Sequence, residues 1–228
     1  MQELFLERRG DLLVVRDDLF PGGTKARVLS VLFDAEHREY VYASPVQGYA
    51  QVALAHTTKA AGLAARIFCA YRTVRHRLTL QAMAAGAFVE ECSPGYLSQV
   101  QSRARAYCKS HPSAKLLPFG LDDERFIEAL AGLARTLPIT PQQVWTVAGS
   151  GVLSRALQRA WPAAEFFAVQ IGHTPNIGRA QLLKAPERFE DDAKLPPAFQ
   201  SCSNYDAKAW RFVKQYAAPG ALFWNVAA

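Results

Sequence analysis

Two segments of this 228-residue chain hold residues whose type and spacing carry reactive chemistry. Lys25 follows Gly22, Gly23 and Thr24 and opens a helical pattern. Placed beyond the end of a strand in a parallel sheet, such a side chain faces the crevice at the sheet's carboxyl edge. An amine shielded from water beside other cationic or dipolar groups loses proton affinity and becomes a nucleophile toward aldehydes. The second segment, Gly149-Ser150-Gly151, lies between an apolar run and a helix that starts with Val152 and Leu153. Small residues there expose backbone N–H groups at a helix start, where the helix dipole attracts phosphate. Alone, neither is specific, because lysines are usually solvated and glycines also serve tight turns.

The elements that must position these residues follow from hydrophobic periodicity. Residues 12–16 read as a strand, followed by a turn-rich stretch and a helix over 25–33 with Val28, Leu29 and Leu32 on one face. A strand at 40–43 breaks at Ser44-Pro45 and leads into a helix carrying Val52, Leu54 and Ala55. Strands at 65–70, 87–91 and 116–118 alternate with helices at 78–85 and 97–109. A longer helix places Phe126, Ile127, Leu130, Leu133, Ala134 and Leu137 at the 3.6-residue period, and a strand at 144–148 runs into the glycine segment and a helix over 152–160. A strand at 166–171 comes next, then 172–203, where proline and charge erase periodicity and an irregular loop or lid is expected. A helix at 207–216 and a strand at 221–226 close the pattern. Alternating β and α units imply an α/β three-layer sandwich with mostly parallel sheets. The expected division is a larger cofactor-binding lobe, 1–43 with 121–228, and a smaller basic α/β lobe, 44–120.

Residues 14–32, VVRDDLFPGGTKARVLSVL, resemble the cofactor-lysine segment of aminocyclopropane-carboxylate deaminase and D-cysteine desulfhydrase, an acidic turn followed by G-G-N-K-x-R-x-L. Gly22, Gly23, Lys25, Arg27 and Leu29 match, and Thr24 replaces asparagine. Pro45-Val46-Gln47-Gly48-Tyr49 falls where those enzymes carry G-V-Q-S-N, and Tyr205-Asp206-Ala207-Lys208 resembles their Y-[acidic or small]-G-K segment. The resemblance spans nearly the whole chain in order. It implies a pyridoxal-phosphate-dependent enzyme of the tryptophan-synthase-β type, fold type II, in a shortened form. By the same resemblance Lys25 bonds to pyridoxal 5'-phosphate, and Gly149, Ser150, Gly151, Val152 and Leu153 form the phosphate cup. Asp206 faces the pyridine nitrogen, Tyr205 and Tyr49 are catalytic, and Gln47 and Gly48 contact substrate. The departures are Gly48 where the family has a substrate-contacting serine, and Tyr49 where it has an asparagine beside the cofactor ring. The family's closing glycine-rich segment is replaced by Asn225-Val226-Ala227-Ala228. The chemistry implied is lyase, deaminase or decarboxylase action at the α-carbon of an amino-acid-type substrate, by a homodimer.

Charge adds a second theme. The chain carries a net +6, and between Thr57 and Lys115 the basic residues Lys59, Arg66, Arg72, Arg75, Arg77, Arg103, Arg105, Lys109 and Lys115 face only Glu90 and Glu91. A basic lobe over 57–115 is expected to meet an anion, including nucleic acid, and extends the reading to an amino acid tethered to a polyanion such as hypermodified DNA. The competing reading is a non-catalytic nucleic-acid-binding or regulatory protein that keeps the enzyme fold. Cys69, Cys92, Cys108 and Cys202 form no CxxC pair, and His56, His76 and His173 have no ligand-like spacing, so no metal site is expected. No stretch reaches the roughly 20 apolar residues of a membrane span, and a cytoplasmic protein is expected.

Overall fold

The computed structural model describes residues 3–172 and 175–228; His173, which opens the presumed lid, lies outside the described residues. The chain forms two compact units, one running through Thr24 and resuming over Asp122–Ala228, the other Lys25–Leu121.

The first unit is built on a six-stranded sheet in the order β1-β2-β10-β7-β8-β9. Its strands are β1 (Leu6–Arg9), β2 (Leu12–Arg16), β7 (Gln143–Ala148), β8 (Glu165–Gln170), β9 (Gln181–Lys184) and β10 (Leu222–Asn225). Only β1 runs antiparallel, against β2. Alternation along the strands sends side chains to opposite faces. Val14, Trp145, Val147, Val169 and Phe223 pack with Ala209 and Val213, from the 3-10 turn Asp206–Ala209 and helix α7 (Trp210–Tyr216). The other face meets α5 (Glu124–Arg135) and α6 (Val152–Ala160), which bury Phe126, Ile127, Leu130, Ala156 and Leu157.

The second unit holds a fully parallel four-stranded sheet, β5-β4-β3-β6, formed by β3 (Glu39–Ala43), β4 (Ala64–Ala70), β5 (Phe88–Cys92) and β6 (Ala114–Leu116). Helix α4 (Leu97–Ser110) covers one face, with Val100 and Ala104 against Val41, Ala43, Phe68 and Ala70. Helices α2 (Ala50–Ala60) and α3 (Arg77–Ala84) take the other, with Val52, Leu54 and Leu78 buried.

The structure differs from the sequence reading in four places. Residues 25–43, expected in the larger lobe, fold with the smaller unit because β3 pairs with β4 and β6. The stretch 172–203 is not all loop, since β9 extends the sheet parallel to β8 through Leu182 and Leu183. The helix expected over 25–33 is α1 (Gly23–Val28) followed by the 3-10 segment Leu29–Leu32, and the one expected over 207–216 is likewise part 3-10 turn, part α7. Among the described residues, no helix is long and apolar enough to cross a membrane.

Candidate active site

The chain leaves β2 through a 3-10 turn, Asp17–Leu19, and reaches Lys25 two residues into α1. A buried polar network fixes that turn. Thr24, standing where the resembling enzymes have asparagine, donates its hydroxyl to Asp17 at 2.7 Å and accepts the Trp224 indole N–H at 2.9 Å. The same indole lies 3.0 Å from Asp17 Oδ2, a carboxylate with no exposed surface. Beside it, Arg16 pairs in bidentate fashion with Asp18 at 2.8 and 2.7 Å, and Asn225 donates to Asp18 at 2.7 Å. Bonds to buried charged groups contribute about 1.5–3 kcal/mol each, so they hold the backbone preceding Lys25 with little freedom. Lys25 is half-buried.

Gly149, Ser150 and Gly151 follow β7 and end at α6, whose first-turn N–H groups have no acceptor within the helix. The Gly149 amide donates to the Tyr205 hydroxyl at 2.8 Å, joining two of the sequence-predicted segments directly. Gly151 has φ +85°, and a Cβ there would stand 1.9 Å from the Asn176 carbonyl oxygen. The backbone of residues 176–177 therefore approaches the loop closely, and only glycine fits at 151. The 176–179 segment is held against α6, with Ser154 and Gln158 donating to the Ile177 carbonyl at 3.1 and 2.6 Å. Asp206 follows Tyr205, is wholly buried, and accepts the Ala227 amide at 3.2 Å. The tail that replaces the family's glycine-rich segment is thus built into the site: Ala227 also accepts from the Cys202 amide at 2.8 Å, and Asn225 accepts from Ser201 at 2.7 Å.

The sequence motif included Lys208 but gave it no role. Its side chain is 1% exposed, and Nζ donates to the carbonyls of Arg188 at 2.6 Å and Phe189 at 3.3 Å. Burial pushes its proton affinity below the usual lysine value, against the pull of Glu187, Asp191 and Asp192. Phe189 in turn packs on Tyr205, ring centroids 6.4 Å apart. The ammonium therefore ties the expected lid to the tyrosine that meets the glycine loop. Glu187, buried and paired with Arg211 at 3.1 Å, anchors the same stretch. The sequence signal for Lys208 was a lysine three residues after Tyr205, which a motif cannot separate from a solvated one.

In the smaller unit the 45–49 segment leaves the carboxyl end of β3. The Gly48 amide donates to the Pro45 carbonyl at 2.9 Å, closing a turn that Gln51 fixes by donating to the Val46 carbonyl at 2.9 Å. A Cβ on residue 48 would meet Ser44 Oγ at 2.8 Å and the Pro45 oxygen at 3.1 Å. The serine of the resembling enzymes therefore fits here only if Ser44 gives way. Gln47, Gly48 and Tyr49 are half-buried, and Tyr49 caps α2, its carbonyl accepting from Val52 and Ala53 at 3.1 Å.

The structure thus places Gly149, Ser150, Gly151, Val152, Leu153, Tyr205 and Asp206 in one unit and Lys25, Gln47, Gly48 and Tyr49 in the other. Among the histidines, His76 caps α3, its Nδ1 accepting the Leu78 amide at 3.3 Å, and burial with Lys59 nearby lowers the His56 proton affinity.

No protein-family model matches the sequence, and no curated protein matches it. Solved structures do. An ACC deaminase homologue superposes with TM-score 0.83 at 13% identity, over 100% of this chain and 90% of that one. A threonine deaminase from T.th. gives 0.69 at 14% identity over 99% and 91%, and serine racemase from Dictyostelium discoideum gives 0.67 at 14% over 95% and 86%. These neighbours are fold type II pyridoxal-phosphate-dependent enzymes, and this chain has their fold in a shortened form.

Proposed function

We propose that the protein is a pyridoxal-phosphate-dependent enzyme acting at the α-carbon of an amino-acid-type substrate, by lyase, deaminase or decarboxylase chemistry. The observation that carries this reading is the joined set of glycine loop, Tyr205 and buried Asp206 within the larger unit. Its donors suit the cofactor: backbone amides at a helix start for a phosphate, and a wholly buried carboxylate for a pyridine nitrogen. The fold of the solved neighbours supports it.

In this reading Gly149, Ser150, Gly151, Val152 and Leu153 would hold the phosphate, Asp206 would face the ring nitrogen, and Lys25 would be the amine that holds the aldehyde carbon. The bound cofactor supplies an electron sink for a bond broken at the substrate's α-carbon. The Lys25 amine would move a proton at the substrate's α-carbon. Tyr205 acts through its phenol, a group able to accept the Gly149 amide and donate its own proton at once. Gln47 and the Gly48 backbone orient the substrate, which in turn sets which bond stands perpendicular to the ring.

The test is absorbance and mapping. Purified protein given pyridoxal phosphate is expected to develop a visible band, and borohydride reduction followed by peptide mass mapping to place the adduct on Lys25. Lys25→Ala is expected to stay colourless. A wild-type protein that remains colourless, or an adduct on another lysine, overturns the proposal and favours a non-catalytic module.

A further inference from the structure

The charge that the sequence concentrates over 57–115 is not uniform once the chain is folded. Arg66 is bonded to Glu39 and Glu90, Arg75 to Glu91, and Lys115 to Asp34. These ion pairs neutralise three of the basic residues inside the smaller unit. Of the six that remain, Arg103, Arg105 and Lys109 lie on α4. From Ser93 to Leu121 the chain contains no aspartate or glutamate, and Arg103, Arg105 and Lys109 pair with no carboxylate among the described residues. Ser98, Ser102, Arg105 and Lys109 follow one another at helical spacing, and all four are exposed. Like charges one turn apart destabilise a helix unless an anion lies across them.

Beneath this row is a pocket of about 260 Å³, lined by Gln101 and Arg105 from α4 and by Ala43, Leu116, Leu117, Pro118 and Phe119. Its walls are mostly apolar, with one amide and one guanidinium. The Phe119 side chain, part of the 3-10 turn Phe119–Leu121, is 41% exposed. Pockets for whole small molecules usually hold about 300–1,000 Å³, so this one suits a single planar ring whose remainder stays outside. An exposed aromatic, an amide able to read a base edge and a run of cations beside them are the parts that bind single-stranded polynucleotides.

We propose that the outer face of α4 is a docking site for single-stranded polynucleotide, with Arg105 and Lys109 on phosphates and one unstacked base in the pocket against Phe119 and Gln101. The site lies wholly within the smaller unit and does not depend on the cofactor reading.

Fluorescence anisotropy with labelled oligo-dT tests it on the full chain, against inorganic polyphosphate of equal phosphate number as competitor. Two phosphate contacts on a single strand predict a log–log salt slope near −1.4, or roughly a seven-fold weakening between 50 and 200 mM salt. Arg105→Glu is expected to weaken binding at least about ten-fold and to flatten the slope. Phe119→Ala is expected to weaken oligo-dT about ten-fold and leave polyphosphate unchanged, since base–aromatic stacking is lost but charge is not. Melting temperatures check that both variants fold. Lys25→Ala should bind oligo-dT as wild type does, so failure here and failure of the cofactor reading are separately visible. Salt-insensitive binding, polyphosphate competing as well as oligo-dT, or an unaffected Phe119→Ala overturns the proposal. Failure to bind because a second copy covers α4, detected as dimer by sedimentation, overturns it too.

Discussion

The turn that leaves β7 and the turn that leaves β3 both exit the carboxyl end of a parallel strand into a helix, yet they require glycine for different reasons. At Gly151 the obstacle is backbone: a left-handed φ of +85° and the Asn176 carbonyl oxygen 1.9 Å from where a Cβ would stand. At Gly48 it is chiefly a side chain, the Ser44 hydroxyl at 2.8 Å. A backbone conflict cannot be relieved by one substitution elsewhere, whereas a side-chain conflict can. The first loop is therefore locked to the chemistry that resembling enzymes use for a phosphate. The second can change by paired substitution, on the side where the proposal places the substrate.

The largest expected effect breaks the first turn. Gly151→Ala adds about 1–2 kcal/mol for the left-handed backbone and a further overlap with Asn176, so a loss of at least about 3 kcal/mol is expected in urea denaturation, with loss of cofactor binding. A cost below about 1 kcal/mol would show that the 176–179 segment moves freely away, and the contrast between the turns would fall.

Next in size is Lys208, which steadies the same loop through Phe189 and Tyr205. Lys208→Met leaves the Arg188 and Phe189 carbonyls without their buried donor and is expected to cost about 2–3 kcal/mol. Its pH dependence has a definite sign. Burial lowers the folded-state proton affinity, so between that lowered value and the ordinary lysine value of 10.5 the unfolded chain binds more protons. Stability contributed at this site therefore rises with pH across that window and is flat below it. Denaturation at about pH 7 and about pH 10 should show the wild type gaining on Lys208→Met; a parallel pair of curves would show that burial does not lower the proton affinity of this ammonium.

How much of this was legible in the sequence follows from where each partner lies. Strands with apolar runs, such as β7 with Val144, Trp145 and Val147, declare themselves locally. The edge strands β1, LERR, and β9, QLLK, do not, because an edge exposed on one side needs no apolar pattern. In the candidate site, Lys25 and the glycine loop stand out in the sequence because the motifs that propose their roles are made of neighbouring residues. The network that fixes Thr24 was not, since Trp224 and Asn225 join Asp17 and Asp18 across 207 positions. The obstruction at Gly48 depends on the rotamer of Ser44, which no spacing rule reports.

The second turn supplies a smaller and reversible effect. Gly48→Ser places a Cβ against Ser44 Oγ and is expected to cost about 1–2 kcal/mol by overpacking. Combined with Ser44→Ala, which removes the obstructing oxygen, most of that cost should return, giving a coupling of at least about 0.5 kcal/mol in a double-mutant cycle. Additive costs would place the obstacle in the Pro45 backbone instead, and the two turns would then be alike.

A third glycine sets the baseline against which the other two are measured. Gly132 lies inside α5, in ordinary helical backbone, and a Cβ there meets nothing within 4 Å. Glycine in a helix interior loses more backbone entropy on folding than alanine, by up to about 1 kcal/mol, and no contact offsets it here. Gly132→Ala is therefore expected to stabilise the protein by about 0.5–1 kcal/mol, raising the urea midpoint without changing cofactor affinity. The same chemical change should thus stabilise at 132 and destabilise strongly at 151, and the sign follows from what a single methyl group would touch. Should Gly132→Ala destabilise, an unoccupied Cβ direction would no longer distinguish a dispensable glycine from a required one, and the assignments at 48 and 151 would lose their common basis.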